Sequence, residues 1–217
     1  MRSLTNPRLT SRIAGFFYFM NVAFVPGLIA VRKVFVASDA AQTAANLAAH
    51  ATLFQIGFAG NIIAIASYVV VTALFYQLFK PVNSNISFLA ACFGLMGCAV
   101  LAVSSAFYIG ALHQTASITV LLIKLYAQAY YVSWIFFAVY CFLIGYLIYK
   151  SSFLPRILGV LMMLGIGGLV FLAPEFARSV FGLVLLGSVG ELALTVWLLI
   201  FGVNSQRWNE LSASSSP

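Results

Sequence analysis

Charge is what this 217-residue chain has least of. Lysine, arginine, aspartate and glutamate make up 7% of it, against about 25% in a soluble domain. Only four residues are acidic, and Asp39 is the sole aspartate, which excludes intramembrane proteolysis by paired aspartates. There are two histidines, His50 and His113, both outside the long apolar runs, so haem ligation between facing spans has no ligands. Together with Asp39 and Glu175 they form no zinc-ligand spacing, and neither a metal nor another cofactor is expected. Cys92, Cys98 and Cys141 all fall inside apolar runs without C-x-x-C spacing, which reads as helix packing rather than a disulfide framework. Nucleophile elbow, phosphate loop and H-E-x-x-H patterns are missing too.

What the chain does have is long hydrophobic stretches, in a composition that is 63% apolar. Such a chain needs the lipid bilayer as its solvent, because water leaves it no single core to build. Six spans are expected, at Ile13–Val31, Leu53–Phe79, Ile86–Leu112, Gln128–Tyr149, Leu154–Ala173 and Val180–Gly202. Each crosses a ~30 Å hydrocarbon core at ~1.5 Å per residue. The first is too long for a signal-peptide core and no small-x-small site follows it, so it reads as a retained helix. The expected fold is therefore all-α, a polytopic six-helix transmembrane bundle over residues 1–211 with a disordered polar tail at 212–217.

Between the first two spans, Ser38 or Asp39 can cap a helix, with Gln42 at capping-box spacing and an Ala-rich run behind it. This predicts a short interfacial helix, and Ser117–Ala127 can play the same part before the fourth span. The +7 net charge is spread singly over span ends, which suits lipid headgroups and topology rather than nucleic acid. Arg2, Arg8, Arg12, Lys80, Lys150, Arg156 and Arg207 lie on one side, against Arg32, Lys33, Lys124 and Arg178 on the other. That bias places both termini in the cytoplasm.

Inside the spans, one residue stands apart. Glu191 is the only acidic residue in any of them, and a carboxyl at mid-bilayer costs about 2.5–3.5 kcal/mol on insertion scales. No lysine or arginine shares its depth, so it is expected to hold a proton at rest and to bond to a tyrosine or asparagine. Helical projection gathers small and polar residues on single faces: Gly187, Ser188, Glu191 and Thr195 in the last span, Asn61, Tyr68 and Thr72 in the second, Ser104, Ser105 and Tyr108 in the third, and Tyr130, Ser133 and Tyr140 in the fourth. With His50 at the mouth, the candidate ligand-binding set is Glu191, Asn61, Tyr68, Ser104, Tyr108, Tyr130, Ser133 and His50, an outward-opening polar pocket floored by Glu191. Close helix packing and interhelical hydrogen bonds explain the serine, threonine and glycine positions equally well.

The segments HATLFQIGF (50–58), LFYQLFKPVNSNISFLAACF (74–93), GYLIYKSSFLPRILGVLM (145–162) and GELALTVWLLIFG (190–202) resemble an integral-membrane family, domain of unknown function 4386. The resemblance implies a bacterial cytoplasmic-membrane protein of about six helices and no assigned activity. Glu191 and His50 match that family's G-E-L and A-H segments. The chain departs from the pattern at Tyr140, where His is frequent, and at Asn61, where Asp is frequent, which speaks against a mechanism needing a second intramembrane ionisable group. Three functions fit: binding or transport of a small amphiphile or cation, an accessory subunit that packs on a membrane-protein partner or a second copy of itself, and a lipid-modifying enzyme with Glu191 as general acid–base.

Overall fold

The computed structural model describes residues 6–23, 33–36, 39–173 and 181–214, with the side chains of 181–186 left out. Several expectations fall outside these residues: Arg2, Arg32, Ser38, Glu175 and Arg178, the end of the first span, and residues 215–217 of the tail. Every regular element among the described residues is helical.

The first helix, α1, runs Pro7–Ala23 and starts six residues before the predicted span. Its start is set locally: the Asn6 carboxamide accepts from the Leu9 N–H at 3.1 Å, and Pro7 takes the first helical position, where a missing N–H costs nothing. The short helix α2, Ala40–Ala49, stands where one is expected. Asp39 caps it by accepting from the Gln42 N–H at 2.8 Å. The reciprocal half of the capping box is not made, because the Gln42 side chain donates to Asn46 instead.

Among the described residues three helices are long and apolar enough to cross a membrane: α3 (Ala51–Phe79), α4 (Ser84–Gly110) and α5 (Ala116–Lys150). The KP-V-N turn joins the first two, with the Asn83 side chain capping α4 through the Ile86 N–H at 2.9 Å. Ser117–Ala127 does not form a separate helix. Neither proline nor glycine interrupts it before Gly145, and α5 runs 35 residues, roughly 52 Å.

Helix α6 (Arg156–Met163) follows Pro155 and passes at Leu164 into a 3₁₀ segment, Leu164–Leu172. Gly165, Gly167 and Gly168 lie in that segment and weaken the α-helical alternative. Helix α7 spans Phe181–Ile200. It ends at Gly202, whose φ of +66° suits glycine, and the Phe201 and Gly202 N–H groups both donate to the Trp197 carbonyl. The chain then bends by 102° into α8, Ser205–Ser214, so Ser212–Ser214 of the expected tail are helical.

Contacts between the elements close a ring: α1 on α3, α3 on α4, α4 on α5, α5 on α6 and the 3₁₀ segment, these on α7, and α7 back on α1. Glycine permits the closest approaches. A Cβ at Gly145 would lie 2.6 Å from the Gly159 carbonyl oxygen, one at Gly187 2.7 Å from Gly165 Cα, and one at Gly15 2.9 Å from Leu198 Cβ. One end of the ring is tied by arginine and tryptophan. Arg8 and Arg12 donate to the Phe201 and Ile200 carbonyls at the α7 C-terminus, Arg207 donates to Ser152, and the Trp208 indole donates to the Leu78 carbonyl. At the other end α2 packs against α5, and Leu47, Phe54, Tyr108, Ile123 and Tyr126 form a separate apolar cluster.

A candidate hydrogen-bonded site at the centre of the ring

Glu191 reaches the interior because α7 lies directly on α6. The position before it, Gly190, carries no side chain, and a Cβ there would run into the Leu161 carbonyl. Leu194 and Leu198, on the next turns of the same face, are fully buried. The Thr195 hydroxyl bonds back to the Glu191 carbonyl at 2.7 Å.

Three donors from three other helices meet the Glu191 carboxyl. The Tyr18 hydroxyl on α1 donates at 2.8 Å, the Tyr68 hydroxyl on α3 at 3.2 Å and the Cys141 thiol on α5 at 3.2 Å. All three go to Oε1. Among the described residues none donates to Oε2, and Glu191 is only half-buried while its partners are buried.

Aromatic rings wall the carboxyl. Tyr18 stands edge-on to Tyr68 and Phe75, and Tyr68 contacts Phe137 and Tyr140. Among the described residues the Tyr140 hydroxyl, buried beside Thr72, has no hydrogen-bond partner. Gly94 lets α4 approach there, since its Cβ would lie 3.0 Å from both Thr72 and the Tyr140 ring. Asn21 staples α1 to α3 by donating to the Ala64 carbonyl at 3.2 Å.

Of the eight expected site residues, the structure brings Tyr68 directly to Glu191. Asn61, Ser104, Tyr108, Tyr130 and Ser133 lie nearer the α2 end. Ser104 donates to the Tyr126 carbonyl at 2.9 Å and so joins α4 to α5. Ser133 bonds back to the Tyr130 carbonyl of its own helix. Tyr108 stacks on Phe54 with ring centroids 3.8 Å apart. His50 is exposed at the break between α2 and α3. Two surface concavities, of about 370 and 280 Å³, open among Arg8, Trp197 and Asn204 and among Asn83, Tyr146 and Lys150; neither is lined by Glu191.

Tyr18 and Cys141 escaped sequence reasoning. Tyr18 completes a stripe with Ser11, Ala14 and Gly15, all buried, whose helical spacing and small side chains carried the signal. Cys141 adjoins Tyr140 on a face already singled out. Among the described residues no group of three or more metal-ligating side chains occurs.

The family described as domain of unknown function (DUF4386) has a sequence model that matches residues 13–202. An uncharacterized protein from Archaeoglobus fulgidus is 29% identical over 140 residues, covering 62% of this chain and 76% of that protein. No solved structure matches.

Proposed function

We propose that this chain, which belongs to the DUF4386 family, is a multi-pass membrane protein that binds or transports a small cation or hydrogen-bonding amphiphile, held at Glu191. The observation that carries this reading is the convergence of Tyr18, Tyr68 and Cys141 on one carboxyl oxygen, which orients the carboxyl and leaves Oε2 for a ligand. Holding the helices together uses Oε1, and the insertion cost of a carboxyl at this depth supports a further use for Oε2.

In this reading the six segments of the ring, α1, α3, α4, α5, α6 with its 3₁₀ extension, and α7, are the six spans. Helices α2 and α8 then lie at opposite interfaces. The arginine-tied end faces the bacterial cytoplasm with both termini, as the basic-residue bias requires. Asn61, Ser104, Tyr108, Tyr130 and Ser133 line the approach from the opposite side, and His50 marks its mouth.

Native mass spectrometry of the purified protein beside Glu191→Gln tests this. The wild type carries a discrete co-purified mass, and the variant carries about tenfold less, the scale of one charge-assisted hydrogen bond at roughly 1.5–3 kcal/mol. Ligand-free spectra from both proteins, or equal occupancy, contradict it.

One observation favours a second reading, the accessory subunit. The outer face of α4 exposes Phe88, Leu95, Met96 and Val103, an apolar surface that a membrane-protein partner or a second copy would cover as readily as lipid.

A further inference from the structure

Between Glu191 and the α2 end lies a second polar group that the carboxyl site does not use. The hydroxyls of Tyr108 and Tyr126 are buried and have no hydrogen-bond partner among the described residues. Their rings meet edge to face at 5.1 Å. The Asn61 side chain lies beside the Tyr126 hydroxyl. Tyr130 stands 5.9 Å from Tyr126, ring to ring. Buried hydroxyls rarely lack partners, and where several converge in a polar site, water satisfies them.

The other half of the ring buries more aliphatic side chains. Beyond Glu191, toward the arginine-tied end, Phe75, Leu78, Ile144, Leu147 and Leu198 are fully buried and apolar, and the buried hydroxyls of Thr72, Ser87 and Thr195 donate to backbone carbonyls. Phe137 stands where the two halves meet. It lies on the α5 face between Ser133 and Cys141, its ring 4.8 Å from that of Tyr68 and so close to α4 that a Cβ on Gly97 would fall 2.8 Å from it.

We propose that small hydrated cations, protons included, reach Oε2 of Glu191 from the α2 end, through a water-holding station formed by Asn61, Tyr108 and Tyr126, with Phe137 as the partition between station and carboxyl. The hydroxyl and amide groups replace part of the ion's hydration, and the faces of Tyr126, Tyr130 and Trp134 attract positive charge. This rests on reading Glu191 as the binding group, and it narrows the ligand from amphiphile or cation to a small cation.

Cys141 is a built-in reporter, because its thiol bonds to the same carboxyl. In a Cys92→Ser, Cys98→Ser background in lipid nanodiscs, its modification by cationic methanethiosulfonate ethylammonium and by neutral methyl methanethiosulfonate is followed by mass spectrometry. Phe137→Ala speeds the cationic reagent about tenfold, a barrier change of about 1.4 kcal/mol. Asn61→Leu combined with Tyr126→Phe slows the cationic reagent by a similar factor and the neutral one far less. Leu198→Ala, in the apolar half, changes neither. Equal slowing of both reagents, no response to Phe137→Ala, or acceleration by Leu198→Ala overturns the proposal. Phe137→Leu, a milder change with the same expected direction, serves if the alanine variant is not monodisperse. These rates need no bound ligand, so they stand or fall separately from the native mass spectra.

Discussion

Glu191→Leu lowers the stability of the detergent-solubilised protein far more than Glu191→Gln does. Leucine removes the acceptor shared by Tyr18, Tyr68 and Cys141 and leaves three buried donors from three helices without a partner. Interhelical hydrogen bonds in membranes average roughly 0.6 kcal/mol, so three set a floor of about 2 kcal/mol, and stranded donors raise the loss to roughly 4 kcal/mol. Glutamine keeps an oxygen at Oε1 and loses mainly the ionisable function, for a cost of about 1 kcal/mol or less. The variants therefore separate the two roles of Glu191: leucine reports on the ring, glutamine on the ligand. Denaturant or thermal unfolding in one detergent measures both. If leucine is as stable as the wild type, the carboxyl does not hold the four helices together.

Gly190→Val is the second large effect, and it follows from backbone rather than side chains. A Cβ at Gly190 meets the Leu161 carbonyl and the Met162 N–H of α6, neither of which can rotate away. The helices must separate, which moves Glu191 off its three donors as well. Overpacking ordinarily costs about 1–3 kcal/mol, and obstruction by rigid backbone puts this change at the top of that range or beyond it. Gly110→Ala is the control. Its Cβ would find only Leu122 Cδ1 at 3.8 Å, an ordinary contact, so it changes stability by about 1 kcal/mol at most. Equal melting temperatures for the valine variant and the wild type contradict the close α6–α7 packing.

Helices α3 and α4 were legible in the sequence to within two residues, because their apolar runs are bounded by His50, by the Lys80–Asn83 turn and by the Asn83 cap. Helix α1 was placed late because hydropathy outweighed the Asn6–Pro7 start signal. Helix α5 runs from the expected interfacial segment Ser117–Ala127 into the fourth span without a break, since neither proline nor glycine interrupts it before Gly145. The expected polar tail begins inside α8, which Asn204 caps and buried Trp208 anchors. The starts of α1 and α8 share a cause: a local capping or anchoring bond outweighed the average polarity of the segment.

The site divides along the same line. Glu191 was legible as the one carboxyl in an apolar span, and Tyr68 as a polar residue on a shared face. Tyr18 and Cys141 were not, because a face read on one helix does not say which other faces meet it. That information resides in the ring order, which depends on glycines at Gly15, Gly145, Gly187 and Gly190 admitting particular neighbours. Ser104 and Ser133 read as site residues by type, yet their hydroxyls are used by backbone carbonyls. The sequence named the chemistry available, and the packing decided which groups share it.

The most direct measurement is the infrared S–H stretch of Cys141 in the Cys92→Ser, Cys98→Ser background, with and without Glu191→Leu. A thiol donating to a carboxyl oxygen absorbs at lower frequency than a free one. The account predicts a lowered band in the parent that rises when leucine replaces Glu191, in a protein that still runs as a single species. A band at the same frequency in both would mean that Cys141 and Glu191 do not meet, and the central site would have to be abandoned.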